Sequence, residues 1–114
     1  MNVKTSKGRY KEYRVKGGRI IRLGLDSSDE ISIAKTYYMK NMEMPSHDHV
    51  GKEVMGVISG KIVITGFGDG EKILKKYDVI IIPKGLVHSV KALADSWIWN
   101  IVMPGDIDFP NGVD

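Results

Sequence analysis

Three histidines, His47, His49 and His88, are the whole imidazole complement of this 114-residue chain, and it has no cysteine. His47 and His49 stand two apart in a stretch that reads as a strand, where residues i and i+2 project from one face. Glu53 follows at the same parity. An unbroken strand over 47–58 would therefore line up two imidazoles and a carboxylate. Burying such groups together is costly unless something organises them, and a divalent metal does so. His88 lies 39 residues beyond His49, just after Pro83-Lys84-Gly85. That triplet is turn chemistry, since Pro presets φ and Gly allows the backbone that follows. The lack of cysteine removes disulfides, thiolate metal sites and a Cys nucleophile. No Ser-His-Asp arrangement and no phosphate-binding glycine loop is visible.

The elements that must hold these residues are short. Thirteen glycines cut the chain into pieces rich in Ile, Val, Tyr and Trp, which suit a pleated, half-buried surface. The pattern predicts strands near 19–25, 31–39, 47–58, 61–66, 71–76, 79–83, 86–93 and 96–103, and no helix of useful length. Phe67-Gly68-Asp69-Gly70 reads as a hairpin turn between two of them. Many short strands parted by turn signals indicate an all-β sandwich or barrel. The length suits one domain. We divide it into a basic N-terminal arm or edge strand over 1–18, a barrel over 19–104 and a C-terminal tail over 105–114.

With these residues in view, the chain resembles the cupin superfamily, of the small single-domain metal-binding kind. The family's first motif is G-x5-H-x-H-x3,4-E-x6-G. Here Asn41 leads, followed by His47-Asp48-His49, Glu53 and Gly60 at the matching intervals. The second motif is G-x5-P-x-G-x2-H-x3-N. Here Tyr77 leads, followed by Pro83, Gly85, His88 and finally Ala92. The two leading glycines and the closing asparagine are thus replaced. The resemblance spans about residues 19–104 and implies a double-stranded β-helix, the jelly-roll cupin barrel. It also implies that His47, His49, Glu53 and His88 bind one divalent transition metal per chain: Mn, Fe, Ni, Cu, Co or Zn. A six-coordinate ion held by three imidazoles and a carboxylate keeps two open positions, as catalytic sites do. The resemblance implies a menu of dioxygenases, decarboxylases and isomerases.

Strand alternation suggests a pocket wall. If His88 faces inward, so does Val90; on the last strand the resemblance to small single-domain cupins implies Trp99 and Ile101 toward the metal, and Met42 and Met44 are expected at the mouth. No arginine occurs in residues 23–114. Arginine is the residue best suited to clamp a carboxylate. These features point to an apolar or aromatic substrate and to an oxygenase-like enzyme. A small-ligand-sensing module, or a metal-dependent isomerase or decarboxylase, are the alternatives.

Charge and hydropathy limit the partners. Net charge is +3, yet residues 1–22 hold eight Lys and Arg against Glu12 alone. A solvated arm or a charged edge strand explains this asymmetry, and no RNA-binding or helix-turn-helix pattern supports nucleic acid as a partner. The longest apolar run, Val79–Ile82, is far below the ~20 residues of a membrane span. No apolar stretch of signal-peptide type follows Met1–Ser6. The expectation is a cytoplasmic homodimer that binds a small molecule and no membrane.

Overall fold

Inward side chains recur at every second residue in the strands whose burial defines the interior. In Ser32–Tyr38, the residues Ser32, Ala34, Thr36 and Tyr38 are buried, and their neighbours are half-buried. Ser96–Met103 repeats the pattern with Ser96, Ile98, Asn100 and Val102. This period of two marks strands with one face on a core and one toward solvent. The computed structural model describes residues 9–15, 18–27, 31–47, 51–68 and 70–104. The tail over 105–114 and the first eight residues of the arm lie outside them.

Among the described residues there are ten strands and no helix. They are β1 (Arg9–Val15), β2 (Gly18–Ser27), β3 (Ser32–Tyr38), β4 (Glu43–His47), β5 (Lys52–Ser59), β6 (Lys61–Phe67), β7 (Gly70–Lys75), β8 (Val79–Ile82), β9 (His88–Ala92) and β10 (Ser96–Met103). One sheet has the order β1-β2-β3-β10-β5-β8, and the other β4-β9-β6-β7. Every pairing is antiparallel. From β3 to β10 the chain alternates between the two sheets, except that β6 and β7 form a hairpin within the second. That winding is a double-stranded β-helix, and the protein is all-β. Ile20, Tyr38, Met55, Val57, Ile82 and Ile98 from one sheet join Met44, Ile62, Ile64, Leu74, Val90 and Ala92 from the other in a single apolar cluster. No helix is long and apolar enough to cross a membrane among the described residues.

One expectation about strands changes. The single strand expected over 47–58 is broken: His47 ends β4 in one sheet, and Glu53 lies in β5 of the other. The shared parity of His47 and Glu53 therefore has no bearing on their meeting, because the chain changes sheets between them. The segment 1–18, expected as a basic arm or an edge strand, contributes β1 at the edge of the six-stranded sheet, paired with β2 from Arg9↔Gly24 to Val15↔Gly18.

The two missing motif glycines leave a physical trace. Asn41 and Tyr77 are the non-glycine residues with positive φ among those described, at 72° and 75°. Each is the third residue of a turn, closed by Met42 N–H to Met39 O at 3.0 Å and by Asp78 N–H to Lys75 O at 2.9 Å. Positive φ at this position favours Gly or Asn. Asparagine tolerates it, but a tyrosine there carries strain of about 1–2 kcal/mol. The Tyr77 side chain is 79% exposed, so packing does not offset that strain. Tyr77→Gly should raise the melting temperature by a few degrees, the extra freedom of unfolded glycine taking back part of the gain. Tyr77→Ala, which keeps the strain, should give no rise. Equal melting temperatures for the two variants would refute this account.

Candidate metal centre

The turn before β9 sets the state of His88. Leu86 N–H donates to Pro83 O at 3.3 Å, and Gly85 has φ 75°, so the Pro-x-Gly signal forms the expected turn. The turn brings the Leu86 carbonyl to His88, whose Nδ1–H donates to it at 2.8 Å. Nε2 is thereby left as the nitrogen directed at the interior, where it lies 3.1 Å from Glu53 Oε1. Both residues are 1% exposed. His88 comes from the four-stranded sheet and Glu53 from the six-stranded one, so their contact spans the barrel. Two lone pairs at this distance need one cation between them, a proton or a metal ion.

Glu53 is held from its other oxygen. Asn100 Nδ2 donates to Glu53 Oε2 at 3.2 Å, and Thr36 Oγ1 donates to Asn100 Oδ1 at 2.8 Å. Asn100 and Thr36 are buried on the inner faces of β10 and β3. The line fixes the amide orientation of Asn100 and so the carboxylate it holds. Carboxylates that bind metals are commonly oriented by such outer partners. Sequence reasoning placed Asn100 on the face away from the site. The available signal was a lone amide amid the apolar residues of β10, since a buried polar group needs a partner.

Two glycines allow the backbone to close around these residues. A Cβ on Gly51 would lie 2.6 Å from Pro104 O, so only glycine lets the end of β10 pass beside the entry to β5, two residues before Glu53. A Cβ on Gly66 would lie 2.8 Å from His88 Cα. Gly66 has φ 114° and sits at an irregularity between Ile64 and Phe67, beside the start of β9.

The remaining expected ligands are less fully described. His47 pairs with His88 in the β4–β9 register, which brings its backbone to the same end of the barrel. His49 lies outside the described residues. Among the described residues, no group of three His, Cys, Asp or Glu side chains is assembled. The donor chemistry of Glu53 and His88, two buried facing lone pairs with both outer atoms held, fits a transition metal ion.

The expected pocket wall is half corrected. Val90 and Met44 are buried opposite one another in the core, at register partners of β9 and β4. Met42 is also in the core. Trp99 and Ile101 do not face the site. Asn100 between them points inward to Glu53, so alternation turns both outward, and Trp99 is 41% exposed. On that outer face Trp97 packs on Tyr37 with ring centroids 5.1 Å apart. Lys35 Nζ lies 4.8 Å from the Trp97 ring and 6.0 Å from that of Trp99.

A barrel of two antiparallel sheets wound as a double helix, with histidine and glutamate meeting inside it, defines the cupin class. The sequence profile of the cupin domain matches residues 36–98, more than half of the chain, and the protein belongs to the cupin family. An RmlC-like cupin from Shewanella frigidimarina is similar over 95% of this chain and 96% of its own, with 22% identity and a TM-score of 0.78. KdgF from a Halomonas species matches over 86% of this chain and 91% of its own, at 19% identity and a TM-score of 0.74. A cupin superfamily protein from Desulfitobacterium hafniense covers 79% and 82%, at 19% identity and 0.72. At such identities the likeness is one of fold. No curated protein matches the sequence.

Asn100→Ala should lower stability by about 1–3 kcal/mol, because it removes a buried donor from a carboxylate and an acceptor from Thr36. Trp99→Ala, on the outer face, should cost much less. Urea unfolding of both variants checks this, and equal losses would refute the inward assignment of Asn100.

Proposed function

We propose that this cupin is a metal-dependent enzyme acting on a small organic molecule, with His47, His49, Glu53 and His88 holding one divalent transition metal ion. The observation that carries the reading is the buried contact of His88 Nε2 with Glu53 Oε1. It combines a fixed tautomer, a fixed carboxylate and a dry location. The metal would supply Lewis acidity, or an electron couple if it is redox-active. The chain's own residues do the rest. Leu86 O keeps the His88 proton on Nδ1, Asn100 keeps Glu53 turned inward, and Met44, Val90, Met55 and Ile82 exclude water.

The described interior offers few groups for proton transfer. Apart from Glu53 and His88, its buried polar residues include Ser32, Thr36, Ser96 and Asn100, none of them a ready acid or base. That scarcity favours chemistry at the metal over acid–base hydrolysis, and we read the reaction as oxygenase-like. It equally suits a second reading, a module that binds a small ligand without turnover. We place the protein in the cytoplasm. We also propose a homodimer, in which a second copy covers the outer face of the six-stranded sheet where Trp99, Met103, Val79 and Ile81 are exposed.

Elemental analysis of protein purified without chelators should give about one transition metal ion per chain, by the four-ligand reading. His47→Ala combined with His88→Ala should abolish that content, and unchanged content would overturn the ligand assignment. Turnover of candidate substrates should require air. Equal rates under nitrogen would move the assignment to an isomerase or decarboxylase. Light scattering should give twice the 12.7 kDa chain mass, and a monomer would remove the dimer.

A further inference from the structure

The edge of a β-sheet presents N–H and C=O groups that no neighbouring strand takes up. Among the described residues the sheet edges are β1 and β8 in the larger sheet and β4 and β7 in the smaller. Charges and proline are the usual guards of such an edge against pairing with another chain. β1 holds Arg9, Lys11, Glu12 and Arg14, β4 holds Glu43 and Pro45, and β7 holds Glu71, Lys72 and Lys75. β8 is Val79-Ile80-Ile81-Ile82, with neither a charge nor a proline. Its side chains do not retreat from solvent, since Val79 is 63% and Ile81 62% exposed.

The ladder between β5 and β8 fixes which backbone groups of β8 are open. Val57 N–H donates to Asp78 O at 3.0 Å, one step before the Gly56↔Val79 pair. In an antiparallel ladder, opposite residues alternate between bonded and non-bonded pairs. Val57 and Asp78 belong to a bonded pair, so Met55–Ile80 and Glu53–Ile82 are bonded as well, while Gly56–Val79 and Val54–Ile81 are not. The N–H and C=O of Val79 and Ile81 therefore point away from β5, to the open side. Among the described residues no hydrogen bond reaches them there. A second copy of the same strand matches these groups. With the two strands antiparallel and Ile80 opposite Ile80, Val79 of each copy faces Ile81 of the other in a bonded pair. Both donors and both acceptors of each chain are then used. The same register sets Val79 beside Ile81 of the second copy on the outer face, an apolar cross-strand contact of the kind that stabilises sheets. The arrangement is two-fold, so it closes and leaves no further β8 open.

We propose that β8 is an interaction edge at which two copies of this chain pair antiparallel and join their six-stranded sheets into one. The proposal goes beyond the outer-face dimer and does not depend on it. That contact uses side chains on the face of the sheet, and this one uses the backbone of its edge. It is also independent of the metal reading. A strand of four residues buries well under ~1,200 Å², the low end of stable interfaces, so the pairing is weak and shows itself as the chains are concentrated.

The test is sedimentation equilibrium of the full-length protein over a wide range of concentration, from micromolar upward. The mass should rise toward twice its dilute value. Ile81→Pro should hold it at the dilute value. Proline keeps the position apolar and removes an N–H that no strand of the barrel uses, a change that edge strands tolerate. If Ile81→Pro does not fold, Ile81→Lys, which places a guarding charge on an exposed side chain, should have the same effect. Trp99→Lys, on the face of the sheet, should leave the rise intact. Hydrogen exchange reads the groups themselves. The amides of Val79 and Ile81 should exchange several-fold more slowly in concentrated than in dilute protein, while those of Ile80 and Ile82, bonded to β5, should be protected in both. A mass that does not rise with concentration overturns the proposal. So does a rise that survives the Ile81 variants or is lost in Trp99→Lys. Failure of the outer-face dimer shows separately, as a dilute mass equal to that of one chain.

Discussion

The contact between His88 and Glu53 is the constraint around which this barrel is arranged. It joins the two sheets through their most polar buried groups, and each atom of the pair that does not face the other is fixed. Leu86 O accepts the Nδ1 proton, and Asn100 holds the far carboxylate oxygen. The Pro83–Leu86 turn, the glycine at position 66 and the register of β10 on β3 and β5 serve the same contact. Removal of either partner would leave the other buried with an unsatisfied charge or lone pair, which is among the more costly defects a small core can hold.

The surrounding core is divided between packing and polarity. Isoleucine, methionine and valine from both sheets fill it, while a line of single polar residues crosses the inner face of the larger sheet. Each of them pairs with a neighbour on the next strand, so the line adds orientation with little burial of unmatched groups. Arg22, buried opposite Thr36, continues it to β2. The interior is therefore a graded environment, with a carboxylate and an imidazole at one end and a guanidinium at the other.

Turn geometry persists where the usual residue is gone. Asn41, Tyr77 and Gly85 occupy equivalent turn positions at φ 72°, 75° and 75°. The hydrogen bonds and strand pairings on each side dictate that backbone, and the side chain adapts to it. At Asn41 the adaptation is easy, and at Tyr77 it costs stability.

Much of this was legible in the residues alone. Glycine spacing and β-branched runs determined an all-β chain, because short pleated segments bounded by turn formers have few other solutions. The intervals among His47, His49, Glu53, Pro83, Gly85 and His88 pointed to the family, because they repeat the spacing of its two motifs. Local pattern could not decide which face of a strand is inside. Trp97, Trp99 and Ile101 alternate with Ile98, Asn100 and Val102, and both faces of β10 are apolar enough to be buried. Only the pairing of β10 between β3 and β5 turned Asn100 inward and Trp99 outward. Nor could local pattern reveal that the chain changes sheets between His47 and Glu53, or that Arg22 belongs to the interior while other basic residues precede it. Charge counted along a sequence carries no direction, and it is the register of β2 on β3 that set Arg22 opposite Thr36, buried on the inner side of the sheet.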